Sequence, residues 1–203
     1  SSDEIDIEMF LGINNSGYDF GNNKARLAKI EYRSVAADSF HLALQPLNRI
    51  WFKRFSSQKN FDLIHKTYYS NCGLKIGCPV VSTFHDMTHE LMPQFFAKAD
   101  NTSESKRVTA DSSDGIICVS ETTKNDLINS FGINPSKIRV IYHGITLKRN
   151  ESANRIISQN YILYVGQRWG YKNFNVLLSA FSSSDWLRNS FKLVCFGGGK
   201  PNL

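Results

Sequence analysis

The chain has no apolar run approaching the roughly 20 residues that span a bilayer as a helix. That leaves no candidate transmembrane helix in its 203 residues. It has no CxxC pair: Cys72, Cys78, Cys118 and Cys195 are scattered, which argues against a zinc ribbon or a dithiol redox centre. Cys118 and Cys195 sit in strand-like runs, where a thiol is a small buried hydrophobe. The first residues, SSDEIDIEMF, are acidic and carry no secretory apolar core. There is no repeat and no low-complexity tract. These absences lead us to expect a cytoplasmic protein with reduced cysteines and no metal. Acid is also scarce in one place. Between Lys24 and Lys59 eight basic residues (Lys24, Arg26, Lys29, Arg33, Arg49, Lys53, Arg54, Lys59) meet only Glu31 and Asp38, a surplus of six that equals the charge of the whole chain. A basic surface of this kind suits an anionic partner, such as phospholipid headgroups on a membrane face touched by residues 24–59, or a phosphate-bearing acceptor. An ordinary solvated helix face reads the same way. No nucleic-acid reader motif accompanies the charge, so nucleic acid is not expected as a partner.

What is present is a series of short, nearly continuous β-branched runs at residues 61–65 (FDLIH), 79–84 (PVVSTF), 115–119 (GIICV), 138–142 (IRVIY), 161–165 (YILYV) and 191–196 (FKLVCF). Continuous rather than alternating runs fit parallel strands covered on both faces. Helical patterns fit between them at 103–113, at 122–131 with Ser120 as N-cap and Gly132 just past the end, and at 173–181. Alternating strands and helices predict a doubly wound parallel α/β sheet. The polar stretch 146–160 (TLKRNESANRIISQN) reads as a linker. At 203 residues with 41% hydrophobic content, the chain allows one full domain and part of another.

Ligands of such sheets bind beyond the carboxyl ends of the strands. Those ends carry His85, Asp86, Ser120, Glu121, His143, Arg168 and Lys172. The richest is YILYVGQRWGYKN (161–173), where a strand stops at Gly166 and two cations precede a helix. Glycine lets backbone N–H groups approach phosphate oxygens, and the cations neutralise a departing diphosphate. A strand–helix turn with solvated basic residues is the plain alternative. The segment His85–Glu90 (HDMTHE) admits three readings: a metal site, because His85 and His89 are four apart as in H-E-x-x-H; a self-satisfied polar loop; or a strand end where His85 donates a hydrogen bond to a sugar hydroxyl or phosphate. The strand running straight into His85 argues against the metal, and the clustering at strand ends favours the third. Tyr68 and Tyr69 line an acceptor pocket or are buried aromatics. Ser120 and Glu121 cap a helix or face the cleft. His143 and Gly144 read as a hinge turn. Gly197, Gly198 and Gly199 permit a nucleotide to approach, or form a loose loop.

Taken in order, DLIHKTYY, VVSTFHDMTHELMPQFF, SDGIICVSETTKNDLINSFGI, KIRVIYHG, YILYVGQRWGYKNF and LVCFGGG resemble the retaining, nucleotide-sugar-dependent glycosyltransferases of family 4 (group 1), which have the GT-B fold. The resemblance covers about residues 60–200. It implies two Rossmann-like domains: an acceptor-side domain over 1–145 with its first strand missing, a linker over 146–160, and the start of a truncated donor domain over 161–203. It implies sugar transfer from a nucleoside diphosphate to a hydroxyl with retention and without a cofactor or metal. Arg168 and Lys172 match the family's cations on the donor diphosphate, Gly166 the glycine of that loop, and His85 the histidine beside the transferred sugar. HDMTHE and YKN resemble a mannosyltransferase subgroup that builds lipopolysaccharide and other surface polysaccharides. GDP-mannose is then the expected donor, and a glycan or lipid-linked glycan the acceptor. Two departures stand. No glycine-rich loop precedes Phe61, and the family's E-x7-E region would lie beyond Leu203. A fragment with little turnover is therefore expected. A nucleotide-sugar epimerase, or a non-catalytic relative acting as a binding scaffold, remains as an alternative.

Overall fold

All described strand pairs are parallel and fall into three sheets. The computed structural model describes residues 5, 7–14, 26–31, 37–57, 60–69, 77–145 and 157–198. Residues 146–156 of the expected linker, Cys72, Gly199 and the basic residues Lys24, Arg33 and Lys59 lie outside the described residues. The chain divides into two compact units, Ser1–Asp86 with Asn101–Tyr142, and Met87–Asp100 with His143–Leu203.

The first unit opens with β1 (Glu8–Asn14) paired to β2 (Arg26–Glu31), with a register shift between Phe10 and Gly12. Helix α1 (Ala37–Ser57) follows. Its aromatic residues turn to β1: Trp51, Phe52 and Phe55 place their rings 5.0, 5.1 and 5.3 Å from that of Phe10. Phe55 also meets Phe61 at 5.5 Å. This explains a correction to the strand expected at 61–65. The observed β3 is Ile64–Lys66, because Phe61 is taken by the aromatic cluster and pairing begins where Ile64 meets Val80.

The second sheet of this unit runs β3, β4 (Val80–Phe84), β5 (Gly115–Cys118), β6 (Ile138–Val140) in sequence order. After β4 the chain passes through the short α2 (Thr88–Leu91) and a 3-10 turn at Pro93–Phe95, both of which belong to the second unit. Helix α3 (Thr102–Asp111) leads to β5, and α4 (Glu121–Phe131) to β6. Helix α4 is delimited as its sequence implies: Ser120 Oγ accepts from the Thr123 N–H, and Gly132 adopts φ 66° while donating to the Ile128 carbonyl. Val80, Phe84, Ile116, Cys118, Leu127 and Ile138 are buried. The larger of these contribute about 1.5–3 kcal/mol each through lost water contact.

The core also holds hydroxyls, and their bonding can be ordered. Ser113 Oγ donates to the Thr109 carbonyl (2.6 Å), so Ser82 Oγ must be the donor in its 2.7 Å bond to Ser113. Asp114 closes the start of the sheet, its carboxylate accepting from Val80 N–H and its own N–H donating to the Val80 carbonyl, each at 2.8 Å. Buried polar groups so paired do not carry the desolvation penalty of orphans.

In the second unit β7 (Tyr161–Val165) pairs with β8 (Lys192–Phe196) over all five residues, and α5 (Phe174–Ser183) and α6 (Asp185–Ser190) connect them. None of the described residues from 157 to 198 is buried. Leu163, Val165, Val176, Leu178 and Phe196 are exposed.

Candidate functional site

Two strand ends hold most of the residues of interest, one in each unit. At the carboxyl end of β4, His85 and Asp86 form a loop held by hydrogen bonds from other elements. The His85 N–H donates to Tyr69 Oη (3.0 Å), and that hydroxyl donates to the Asp86 carbonyl (3.4 Å). The Thr123 hydroxyl donates to the His85 carbonyl (3.3 Å). With its proton so directed, Thr123 accepts from Ser120 Oγ (2.9 Å). Ser120 thus caps α4 and, through Thr123, reaches the backbone of His85. Glu121 pairs with Lys124 at 3.5 Å.

The His85 ring places Nε2 2.9 Å from the Thr67 carbonyl. A carbonyl only accepts, so Nε2 carries the proton and, in the neutral ring, Nδ1 is an acceptor. In that form the donating nitrogen of the ring faces the chain. His85 lies in the loop and His89 in α2, where its ring stacks on Phe96 at 3.8 Å and pairs with Asp100 at 3.6 Å. Among the described residues no three His, Cys, Asp or Glu side chains gather as a metal site.

Tyr68 is exposed and leans on Tyr69, with ring centroids 4.6 Å apart. Tyr69 is the residue whose hydroxyl meets the loop. Burial pushes its phenol up from 10.0 to about 12, against the lowering effect of its backbone hydrogen bonds. Behind the loop stands a residue the sequence reading passed over. Lys106, on α3, is 1% exposed, and its ammonium lies 3.4 Å from Asp86 Oδ1 and 5.2 Å from the centre of the Tyr69 ring. A signal for it exists: Lys106, Thr109, Ala110 and Ser113 share the inner face at helical spacing, while Glu104, Arg107 and Asp111 point outward.

At the end of β7, Gly166 adopts φ 126° and donates to the Phe196 carbonyl at 2.9 Å. Gly198 has φ 72°, and a Cβ there would stand 2.6 Å from Gly166 O and 3.0 Å from Gln167 Cα. The close approach that requires glycine at 198 is therefore to the chain's own backbone. Arg168 fastens the same loop, Nη1 donating to Gly197 O (2.7 Å) and Nη2 to Gly198 O (3.3 Å). Lys172 closes the 3-10 turn Gly170–Lys172, with its ammonium 5.0 Å from the centre of the Tyr171 ring. Tyr171 in turn meets Phe96 at 5.8 Å. His143 is exposed and is the first residue of the second unit after Tyr142.

Parallel α/β units with polar side chains gathered at strand carboxyl ends belong to the Rossmann-like class of ligand-binding folds. The sequence profile of Glycosyltransferase Family 4 matches residues 17–149, and the chain belongs to that family. No curated protein matches it. Among solved structures it is similar to a glycosyltransferase from Rickettsia africae ESF-5 (17% identity, 86% of this chain and 55% of that one, TM-score 0.42). It is also similar to Anabaena HepE, solved with UDP and glucose (15%, 85% and 56%, TM-score 0.44). A third is the apo form of the lipopolysaccharide outer core galactosyltransferase WaaB (10%, 94% and 68%, TM-score 0.51). The likeness to WaaB speaks to the fold, which is of the GT-B type. The chain spans little more than half the length of the first two structures.

Proposed function

We propose that the chain serves the transfer of a sugar, mannose, from GDP-mannose to a hydroxyl of a glycan or lipid-linked glycan, with retention, in the synthesis of lipopolysaccharide or another surface polysaccharide. Membership of Glycosyltransferase Family 4 supports the class of reaction. The observation that carries the reading is the end of β7. Gly166 ends the strand there, Arg168 is fixed by a two-point grip on the Gly197 and Gly198 carbonyls, and Lys172 follows in the next turn. Without a divalent ion, fixed cations are what stabilise charge on a departing diphosphate. The choice of mannose rests on the resemblance of HDMTHE and YKN to the mannosyltransferase subgroup.

Binding is the direct test. In a thermal-shift panel of GDP-mannose, UDP-glucose, UDP-GlcNAc and ADP-glucose, GDP-mannose should raise the melting temperature most, by mass action. Arg168→Ala and Lys172→Ala should abolish the shift. A panel with no shift for any donor, or a shift indifferent to both substitutions, removes the donor assignment. In an active longer form, each substitution should lower kcat/KM by the equivalent of about 2–4 kcal/mol.

A second element of the proposal concerns location. We read α1 as a contact for anionic lipid on the cytoplasmic membrane face. Its outer side exposes Leu47 and Ile50 next to Lys53 and Arg54, the pairing of apolar and basic groups that suits an interfacial helix. No helix among the described residues is long and apolar enough to cross a membrane. Neutralising Lys53 and Arg54 should weaken flotation with anionic vesicles, and added salt should do the same. Binding that ignores both would rule out this surface.

A further inference from the structure

We propose that Lys106 is a positioning residue for His85, an inference that rests on reading the β4 strand end as a sugar-contacting surface. The Lys106 side chain is 1% exposed, whereas its ion-pair partner Asp86 is 55% exposed. Here a fully buried cation reaches outward to hold a carboxylate at the surface, an arrangement that is costly to maintain without good pairing. The same ammonium sits over the Tyr69 ring. Two of the groups it meets, Asp86 and Tyr69, also help to fix the histidine. Tyr69 Oη takes the His85 N–H and gives its own proton to the Asp86 carbonyl, and the His85 ring donates to Thr67, two residues before Tyr69. The segment 67–69 and the pair 85–86 are thus laced together, and Lys106 lies behind the lacing on the inner face of α3. Holding it sets which imidazole nitrogen carries the proton, and hence that the other one accepts.

The test uses the whole 203-residue chain and the ring nitrogens of its histidines, observed by proton–nitrogen correlation NMR, with His85 assigned by His85→Gln. In the starting protein the neutral form of His85 should carry its proton on Nε2 and none on Nδ1. Lys106→Met should move these signals toward a mixture of tautomers, and Lys106→Arg, which keeps the charge, should restore them. Asp86→Asn should give the same displacement, and the double variant Lys106→Met with Asp86→Asn no larger one. Ile138→Ala, a buried position on β6, should lower the melting temperature and leave the His85 signals in place. Unmoved His85 signals in Lys106→Met, or an equal displacement in Ile138→Ala, would overturn the proposal. Should Lys106→Met fail to fold, Asp86→Asn decides, because it alters a half-exposed group, and unmoved signals there overturn the proposal too. The readout needs no sugar. A chain that binds no nucleotide sugar yet shows these displacements loses the proposed function and keeps the role of Lys106.

Discussion

β4 and β7 are each five residues long, parallel to their neighbours, and followed at once by residues of chemical interest, yet they are packed in opposite ways. In β4, VVSTF, four of five residues are buried although two carry hydroxyls. In β7, YILYV, none is buried although every residue is apolar or aromatic. The more apolar strand is the more exposed. Apolarity of a short run signals a strand, but burial is decided by what lies beside it. β4 sits between β3 and β5, and β7 pairs among the described residues with β8 alone.

The contrast can be broken most directly by truncating side chains in each unit. Phe84→Ala should cost about 3–5 kcal/mol in denaturant unfolding, and Leu127→Ala about 2–5 kcal/mol. Leu163→Ala on β7 should cost about 0.5 kcal/mol or less, as for other exposed positions. Similar costs in both units would dissolve the distinction. Next in size is Gly198→Ala. The added carbon collides with the Gly166 carbonyl and the φ of 72° is unfavourable for alanine, so the substitution should eliminate donor-induced thermal shifts. Gly144→Ala, where a Cβ meets nothing within 4 Å, should leave them unchanged.

A smaller effect belongs to the first unit alone. Burial raises the Cys118 thiol from 9.0 to about 11 and the Tyr69 phenol from 10.0 to about 12. Below pH 9 both groups are protonated in folded and unfolded chains and do not alter stability. As pH rises past these ordinary values, the unfolded chain releases protons that the folded chain retains, and stability falls until the folded groups ionise in turn. Melting curves should therefore decline between pH 9 and 12. Cys118→Ala should flatten the part from 9 to 11, and Tyr69→Phe the part from 10 to 12. A decline unaffected by either would mean that neither group is sheltered as described. The finest comparison is hydrogen exchange, in which amides of β4 and β5 should outlast those of β7 and β8.

Legibility in the sequence follows the same physics. β4, β5, β7 and β8 were readable because their runs are continuous and end at glycine or polar residues. The limits of α4 were readable because Ser120 and Gly132 do their work locally. β1 and β2 were not, since EMFLGIN and RLAKIE mix charge with apolar residues and give no clean period. The basic stretch suggested a helix face, but not that Trp51, Phe52 and Phe55 on α1 would gather round Phe10, a contact over 40 residues away. At the strand ends, residue types pointed to His85 and Arg168. They did not reveal that Tyr69, Thr123 and Lys106 hold the former, because those partners come from other elements of the fold.

Arg168 has one consequence of a different kind. Its fork is fastened to two carbonyls of the 197–198 turn, and a guanidinium offers five N–H groups in a rigid plane. An anion that draws the guanidinium away must either drag the turn along or exchange two existing bonds for its own. Lysine, with a single rotating ammonium, cannot serve both parties in a fixed plane, so capture and loop movement would become separate events in an Arg168→Lys chain.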